Sequence, residues 1–149
     1  MGVRSLDHDG VVVDDLDAAV EFFVDLGLER GGTGTVEGEW VDRIVGLEGV
    51  RSELVFMKTP DGDTSLELVK FHAPSHDSGA LPEASNRPGL RHLSFLVDDL
   101  AAVLDRLRSK KGLDMVGEVQ DYEDIFRLCY VRGPEGIIVE LAQRIGPAT

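Results

Sequence analysis

The sequence predicts an α+β fold built from two tandem βαβββ modules, and an internal repeat is the main reason. Residues 6–18 align with residues 90–102 at a constant offset of 84, with Leu, His, Val, Asp, Asp, Leu and Ala recurring in step. The two halves also end alike, because a Pro-Asp-Gly turn precedes Leu-Glu-Leu at 66–68 and a Pro-Glu-Gly turn precedes Val-Glu-Leu at 139–141. A repeat of this kind indicates a duplicated structural unit. We therefore expect module 1 at about 4–72, a linker at about 73–89 and module 2 at about 90–145, within a single domain spanning 1–149.

Module 1 is expected to begin with a strand at the aliphatic run 11–13. A helix follows, with Asp15 as its N-cap and Gly27 at its C-terminus. Its apolar side chains recur at helical spacing: Leu16, Val20, Phe23 and Leu26. The remaining predicted elements are a short helix at 39–47 and strands at 28–36, 50–58 and 64–71.

Module 2 repeats this order after a linker rich in Pro, Ser, Asp and Asn. A strand is predicted at 95–97, and Asp99 and Gly112 are placed to begin and end a helix. Its apolar positions are Leu100, Val103, Leu104 and Leu107. Strands are predicted at 113–119, 125–131 and 136–142.

Composition excludes several classes of protein. The 149 residues are 42% hydrophobic and 29% charged, which is typical of a globular fold rather than a disordered tail. The formal net charge of −13 disfavours binding to nucleic acid or to an anionic membrane surface. Because no apolar stretch is long enough to span a bilayer, we expect a cytoplasmic protein. Cys129 is the one cysteine in the sequence and is expected to fill space in a strand.

Four ionisable residues occupy equivalent positions in the two modules. His8 and His92 lie in the first strand of each module, and Glu67 and Glu140 lie in the last. Because alternate residues of a strand share a face, each of them is expected opposite the apolar residues that pack under the helices. Such groups are costly on half-buried strands unless something pairs with them. A divalent cation would do so, since two imidazoles and two carboxylates form a neutral set around it; a structural role for each His is the alternative.

With these residues the sequence resembles the vicinal oxygen chelate superfamily, the group of glyoxalases, bleomycin-resistance proteins and extradiol dioxygenases. The matching segments include Leu-Asp-His at 6–8, Leu-Glu-Leu at 66–68, Arg-His-Leu at 91–93 and Val-Glu-Leu at 139–141. The resemblance covers about residues 4–145. It implies that the modules of one glyoxalase-like domain form a cupped mixed sheet around a single divalent metal ion, which could be Ni, Zn, Co, Mn or Fe. The metal ligands that it implies are His8, Glu67, His92 and Glu140.

The resemblance also implies a reaction class. Its enzymes stabilise an enediolate or enolate on the metal, so we expect proton transfer on a small carbonyl or acyl compound, as an isomerase, lyase or epimerase. Glu140 is the expected base and Glu67 its partner on the other face of the substrate; a purely ligating Glu140 is the alternative. Extradiol ring cleavage ranks lower, because it normally uses two His and one carboxylate. A non-catalytic protein that sequesters or senses a small molecule is the competing hypothesis, and retention of all four ligands favours the enzyme.

At two places the sequence lacks a motif that is typical of a known subgroup of this superfamily. Glutathione-dependent glyoxalases typically follow the first Glu with an Asn-Trp loop, whereas residues 68–72 read Leu-Val-Lys-Phe-His. Methylmalonyl-CoA epimerases usually carry His-Pro-Lys before the last strand, whereas residues 132–136 read Arg-Gly-Pro-Glu-Gly. Neither subgroup is therefore indicated.

Further residues are candidates for a substrate pocket. Trp40 would line the pocket or cap the core. Arg51 and Arg127 would bind an anionic group or form surface salt bridges. Tyr122 and Phe126 lie on a segment that could cover the substrate, and Asp9 could orient His8. The expected partners are a small-molecule substrate and a second copy of the chain in a homodimer. The cavity is expected either within one chain or completed across the dimer interface.

Overall fold

The computed structural model of the protein describes residues 1–77 and 79–147, apart from the side chain of Lys111. The chain divides into two compact units, Met1–Gly79 and Ala80–Thr149, called here the first and second units. Each unit carries its own four-stranded mixed sheet. Together with three α-helices in the described ranges, these sheets make an α+β fold of two tandem modules. The predicted fold class is confirmed.

The first unit has the predicted βαβββ order with one extra helix. Its elements are β1 (His8–Val12), α1 (Leu16–Leu26), β2 (Glu29–Glu37), α2 (Glu39–Val45), β3 (Arg51–Lys58) and β4 (Ser65–Ala73). The strand order is β1-β4-β3-β2, with β1 parallel to β4 and the other pairs antiparallel. β1 begins at His8 rather than at residue 11, because its pairing with β4 extends the strand beyond the aliphatic run.

One face of the first sheet packs against α1, and the other does not. Phe23 of α1, Met57 of β3 and Leu68 of β4 are each 0% exposed and form the centre of the core. Val12, which points to the opposite side of β1 from the buried Val11, is 58% exposed. We call the face that carries Val12 the open face of this sheet. The alternation that the sequence predicted for β1 is confirmed.

The second unit repeats the arrangement with α3 in place of α1. Its elements are β5 (His92–Leu96), α3 (Leu100–Lys111), β6 (Gln120–Tyr122), β7 (Phe126–Arg132), a 3-10 turn at Pro134–Gly136 and β8 (Ile138–Arg144). The strand order is β5-β8-β7-β6, and β5 runs parallel to β8. Leu100, Val131, Val139 and Leu141 are at most 1% exposed, whereas Leu96 is 77% exposed. This sheet therefore also has a helix-covered face and an open face.

The strand predicted at 113–119 is wrong. Within that range Met115 makes an isolated bridge to Val131, and the paired strand is β6, at Gln120–Tyr122. Tyr122 pairs with Phe126 across a tight connection in which Glu123 and Asp124 have positive φ angles of 47° and 53°. Because this turn fixes which residues face β7, the strand forms next to the turn rather than at the more apolar run before it.

Both long helices begin as predicted. The Asp15 carboxylate accepts a hydrogen bond from the Ala18 amide at 2.9 Å, and the Asp99 carboxylate accepts one from the Ala102 amide at 3.0 Å. α1 ends at Gly27, whose φ of 118° lies in the left-handed region that favours glycine. Within the described residues no helix is long and apolar enough to cross a membrane.

Candidate functional site

His8 and Glu67 form a pair on the open face of the first sheet. β1 and β4 are parallel neighbours, and their register places Gly10 opposite Glu67, so the imidazole two residues earlier lies beside the carboxylate. His8 Nε2 is 3.1 Å from Glu67 Oε2. The side chains are 37% and 23% exposed, so the pair is accessible from this face.

Asp7 contacts the other nitrogen of the His8 ring, Nδ1. His8 Nδ1 donates a hydrogen bond to Asp7 Oδ2 at 2.7 Å. This bond raises the pKa of His8 above its ordinary value of 6.5; desolvation lowers it, and the nearby charge of Glu67 raises it further. Asp9, the residue considered for this role from sequence, lies within β1 and contributes only through its charge. Asp7 precedes the first residue of the strand, and its side chain reaches the ring.

The contacts of His8 favour a cation at Nε2. A carboxylate only accepts hydrogen bonds, so Nδ1 carries a proton and Nε2 of the neutral ring carries a lone pair. That lone pair faces a carboxylate oxygen of Glu67 at 3.1 Å, and two acceptors repel each other at this distance. A proton on Nε2 or a metal ion bound by both groups removes the repulsion. A carboxylate that fixes the tautomer of a ligating His is a recurrent feature of metal sites.

His92 and Glu140 form the corresponding pair in the second unit. β5 and β8 are parallel neighbours, and Ser94 lies opposite Glu140 just as Gly10 lies opposite Glu67. His92 Nε2 is 3.5 Å from Glu140 Oε2, and the side chains are 41% and 19% exposed. The repeat read from the sequence therefore places one imidazole beside one carboxylate in each unit.

Each pair has an aromatic neighbour from the adjacent strand. In the first unit the rings of His8 and Phe56 have their centroids 5.9 Å apart and meet edge to face. In the second unit the centroids of His92 and Tyr130 are 5.2 Å apart. Phe56 pairs with Glu67 across β3 and β4, and Tyr130 pairs with Glu140 across β7 and β8. These two aromatic residues were not singled out from the sequence, because the register of each antiparallel strand pair, and not a fixed spacing along the chain, places them beside the Glu.

The four predicted ligands are thus found as two pairs, each described within its own unit. Among the residues that the structure describes, no group of three or more His, Cys, Asp and Glu side chains is arranged to hold a metal ion. A third His–Glu contact, His72 Nε2 to Glu53 Oε2 at 3.0 Å, lies between β4 and β3 of the first unit. The donor chemistry of the two open-face pairs suits a divalent cation, and a single four-residue site is a proposal.

The residues predicted to line a substrate pocket differ in their exposure and in their contacts. Trp40 is 60% exposed, so it does not cap the core. Arg127 donates two hydrogen bonds to Asp121, at 2.8 and 3.0 Å, which is the surface salt bridge that was the alternative for this residue. This contact holds the pKa of Asp121 below its ordinary value. Arg51 begins β3 and is exposed.

The last two candidates, Tyr122 and Phe126, face each other across the β6–β7 hairpin. The guanidinium of Arg144 lies over the Phe126 ring, 4.9 Å from its centroid. Both residues therefore belong to paired strands of the second sheet. Their place in a substrate pocket stays a prediction.

The chain is similar to a known protein family and to a solved structure. A family model described as Glyoxalase/Bleomycin resistance protein/Dioxygenase superfamily matches residues 5–141. The crystal structure of a glyoxalase family protein from Bacillus cereus superposes with a TM-score of 0.91 at 38% identity, covering 98% of this chain and 97% of that one.

Two curated relatives extend the comparison. The uncharacterized protein YwbC of Bacillus subtilis is 28% identical over 143 residues, which is 95% of this chain and 98% of the relative. A 2-epi-5-epi-valiolone epimerase from an Actinomyces species is 30% identical over 147 residues, which is 94% of this chain and 79% of the relative.

Proposed function

This chain belongs to the Glyoxalase/Bleomycin resistance protein/Dioxygenase superfamily, and on that premise we propose that it is a divalent-metal-dependent enzyme that moves a proton at a carbon next to a carbonyl group. The observation that carries the proposal is the duplicated His–Glu pair on the open faces, His8 with Glu67 and His92 with Glu140. A duplicated pair with the same strand positions is better explained by a shared ligand than by two independent structural contacts.

The proposed ligands of the ion are His8, Glu67, His92 and Glu140. When bound, a divalent ion draws electron density from neighbouring oxygen atoms of a substrate and so lowers the cost of removing a proton from the carbon beside them. The bond from Nδ1 to Asp7 fixes the tautomer of His8, so that in the neutral ring the lone pair is on Nε2, the nitrogen proposed to bind the ion. Nickel, zinc, cobalt, manganese and iron all accept this set of nitrogen and oxygen ligands.

Glu140 is the proposed base. Its oxygen is 3.5 Å from His92 Nε2, whereas the Glu67 oxygen is 3.1 Å from His8 Nε2, so Glu140 is the less closely held of the two carboxylates. Its side chain is 19% exposed, so it is reached from solvent while most of its surface is covered. A carboxylate that is accessible but partly desolvated is suited to take a proton from carbon. Glu67 is the proposed group that returns a proton on the opposite face of the substrate.

Epimerisation is the reaction that we place first within this class. The epimerase relative is named for inverting a centre of a valiolone, and the ending of that name denotes a ketone. Removing and returning a proton beside a ketone carbonyl is the chemistry that two carboxylates on a shared ion supply. We therefore propose a small ketone as the substrate, ahead of an acyl thioester.

The proposal includes a second copy of the chain as partner. Val12 and Leu96, on the open faces of the edge strands β1 and β5, are 58% and 77% exposed. Exposed apolar side chains on edge strands favour burial against another protein surface.

A solvent-exchange experiment tests the reaction. Metal-loaded protein in D₂O is incubated with a panel of 2-hydroxyketones and acyl thioesters, and deuterium entering the carbon beside the carbonyl is followed by NMR. We expect exchange with at least one ketone and a loss of about 100-fold or more in Glu140→Gln, because general-base catalysis is worth this much. Glu118→Gln, an exposed carboxylate outside the strands, is the matched control and keeps the wild-type rate.

Two results would contradict the proposal. Exchange at the wild-type rate in Glu140→Gln would remove Glu140 as the base. Carbonyl compounds that bind the metal-loaded protein without any exchange would identify a small-molecule-binding protein instead.

A further inference from the structure

The two Glu residues sit in cross-strand rows that differ in one chemical respect. In the first unit Glu67 lies between Gly10 of β1 and Phe56 of β3, a row that offers no hydroxyl group. In the second unit Glu140 lies between Ser94 of β5 and Tyr130 of β7, a row with a hydroxyl on each side. The repeat conserves the strands and the His–Glu pair, but hydroxyl donors flank only the Glu140 carboxylate.

The Tyr130 ring lies on the same open face as Glu140 and His92. It starts from β7, its centroid is 5.2 Å from that of His92 on β5, and β8 runs between these two strands. Glu140 is on β8, directly paired with Tyr130. The Tyr130 ring therefore lies above β8, the strand that carries Glu140. The Tyr130 side chain is partly buried.

Packing against the imidazole does not explain the hydroxyl. Phe56 occupies the corresponding strand position and contacts His8 edge to face at 5.9 Å between centroids, whereas the Tyr130 and His92 rings are tilted by 35° at 5.2 Å, and the Phe56 ring has no polar atom. A phenyl ring is thus sufficient for that role in the first unit. A phenolic hydroxyl adds one hydrogen-bond donor and acceptor. The ring that carries it packs against the His92 imidazole and starts from the residue paired with Glu140.

We propose that Tyr130 is a catalytic residue, whose hydroxyl donates a hydrogen bond to the substrate oxygen that gains negative charge when Glu140 takes the proton. This inference rests on the function proposed above. As the C–H bond breaks, its proton joins the Glu140 carboxylate and its electron pair shifts toward the carbonyl oxygen. The Tyr130 O–H stabilises that oxygen without giving up its own proton. A proton delivered by the carboxylic acid form of Glu67 then completes a new C–H bond, and the two carboxyl groups re-equilibrate with solvent.

The same contact makes Tyr130 a determinant of ligand affinity, which provides a test independent of turnover. The probe is acetohydroxamate, whose two neighbouring oxygens chelate a divalent ion, added to cobalt-loaded protein and followed by titration calorimetry. Tyr130→Phe removes the phenolic hydroxyl and leaves Glu140 with a phenyl ring on its β7 side, as Glu67 has on its β3 side, while the Ser94 hydroxyl is retained. We expect the affinity for acetohydroxamate to fall about tenfold, the effect of one hydrogen bond to a charged oxygen, with the cobalt content unchanged.

Phe56→Tyr is the matched control, because it adds the same hydroxyl at the equivalent place in the first unit. We expect its affinity for acetohydroxamate to stay within about twofold of the wild type. With a substrate identified by the exchange experiment, Tyr130→Phe is expected to lower kcat at least about tenfold.

The outcomes separate this inference from the proposed function. Wild-type protein that binds cobalt and acetohydroxamate, together with Tyr130→Phe of equal affinity, would overturn the role of Tyr130 and leave the proposed function standing. Tyr130→Phe that loses cobalt while keeping its circular dichroism spectrum would show that the hydroxyl supports the metal ligands, which also overturns the inference. Wild-type protein that takes up no cobalt would contradict the proposed function itself.

Discussion

His8 and His92 occupy equivalent strand positions but have opposite electrostatic neighbours. The residue before His8 is Asp7, whose carboxylate accepts a hydrogen bond from the ring, and the residue before His92 is Arg91. Within the described part of the chain, Arg91 Nε is buried and has no hydrogen-bond partner. The residues that precede the two His therefore differ in charge, and in the first pair the bond to Asp7 fixes the tautomer of the imidazole.

The Asp7 contact predicts the pH behaviour of His8 in metal-free protein. Because the bond to Asp7 raises the pKa of His8, the ring stays protonated to a higher pH than an ordinary imidazole. Protons then compete with metal at Nε2. On acidification, metal uptake is therefore expected to begin to decline at a higher pH than it would with an ordinary imidazole. Asp7→Asn is expected to move the His8 titration midpoint toward lower pH, as measured by NMR of the ring protons.

Asp9→Asn is the control for this titration. Asp9 acts on His8 only through its charge, as the smallest of the contributing effects, and we expect a smaller downward movement of the midpoint. An unchanged midpoint in Asp7→Asn would show that the hydrogen bond is absent in solution.

At the scale of elements, the predictions held where a single local rule decides the structure. Asp15 and Asp99 cap the helices as expected, because a carboxylate there satisfies amides that have no other partner. The aliphatic runs 11–13 and 95–97 mark only part of the first strands. As the placement of His8 and His92 in these strands anticipated, the strands begin at the two His, because parallel pairing with β4 and β8 determines their length. The strand predicted at 113–119 failed because the turn at Glu123 and Asp124 fixes the register.

The candidate site was predictable to a similar extent. The repeat predicted one His and one Glu on corresponding strand faces of each unit, because equivalent positions in duplicated strands fall on equivalent faces. The contact within each pair comes from the parallel pairing of β1 with β4 and of β5 with β8. Asp7 was not predicted, since alternation within a strand places it away from His8, and it contacts the ring by lying just before β1. Tyr130 was not predicted either, because its contact with His92 depends on the β7–β8 register and not on spacing along the chain.

The helix caps give a prediction about stability. Asp15→Ala and Asp99→Ala each remove a side-chain acceptor from a helix N-terminus, so each is expected to lower the free energy of unfolding by about 1 kcal/mol. Urea denaturation measures the change. Asp98→Ala, an exposed neighbour outside the cap position, is expected to change it by less than about 0.5 kcal/mol. Equal losses in Asp98→Ala and Asp99→Ala would assign the effect to net charge rather than to capping.

At the scale of the whole molecule, the central claim is that duplication supplies a complete ligand set. Each unit contributes one imidazole and one carboxylate, and two ligands are fewer than the three or four that protein metal sites usually provide. The function proposed for this acidic chain therefore requires more ligands than one pair provides. The His72–Glu53 pair has a similar separation and lies within the first unit alone, so it serves as an internal comparison.

Metal content tests this claim most directly. Protein purified without a metal-affinity tag, and then reconstituted with divalent ions, is examined by elemental analysis beside the double variants His8→Ala/Glu140→Ala and His72→Ala/Glu53→Ala. We predict about one ion per chain in the wild type and in the His72/Glu53 variant, and little in the His8/Glu140 variant. Wild-type protein that holds no metal after reconstitution, or a His8/Glu140 variant that holds as much as the wild type, would contradict the account.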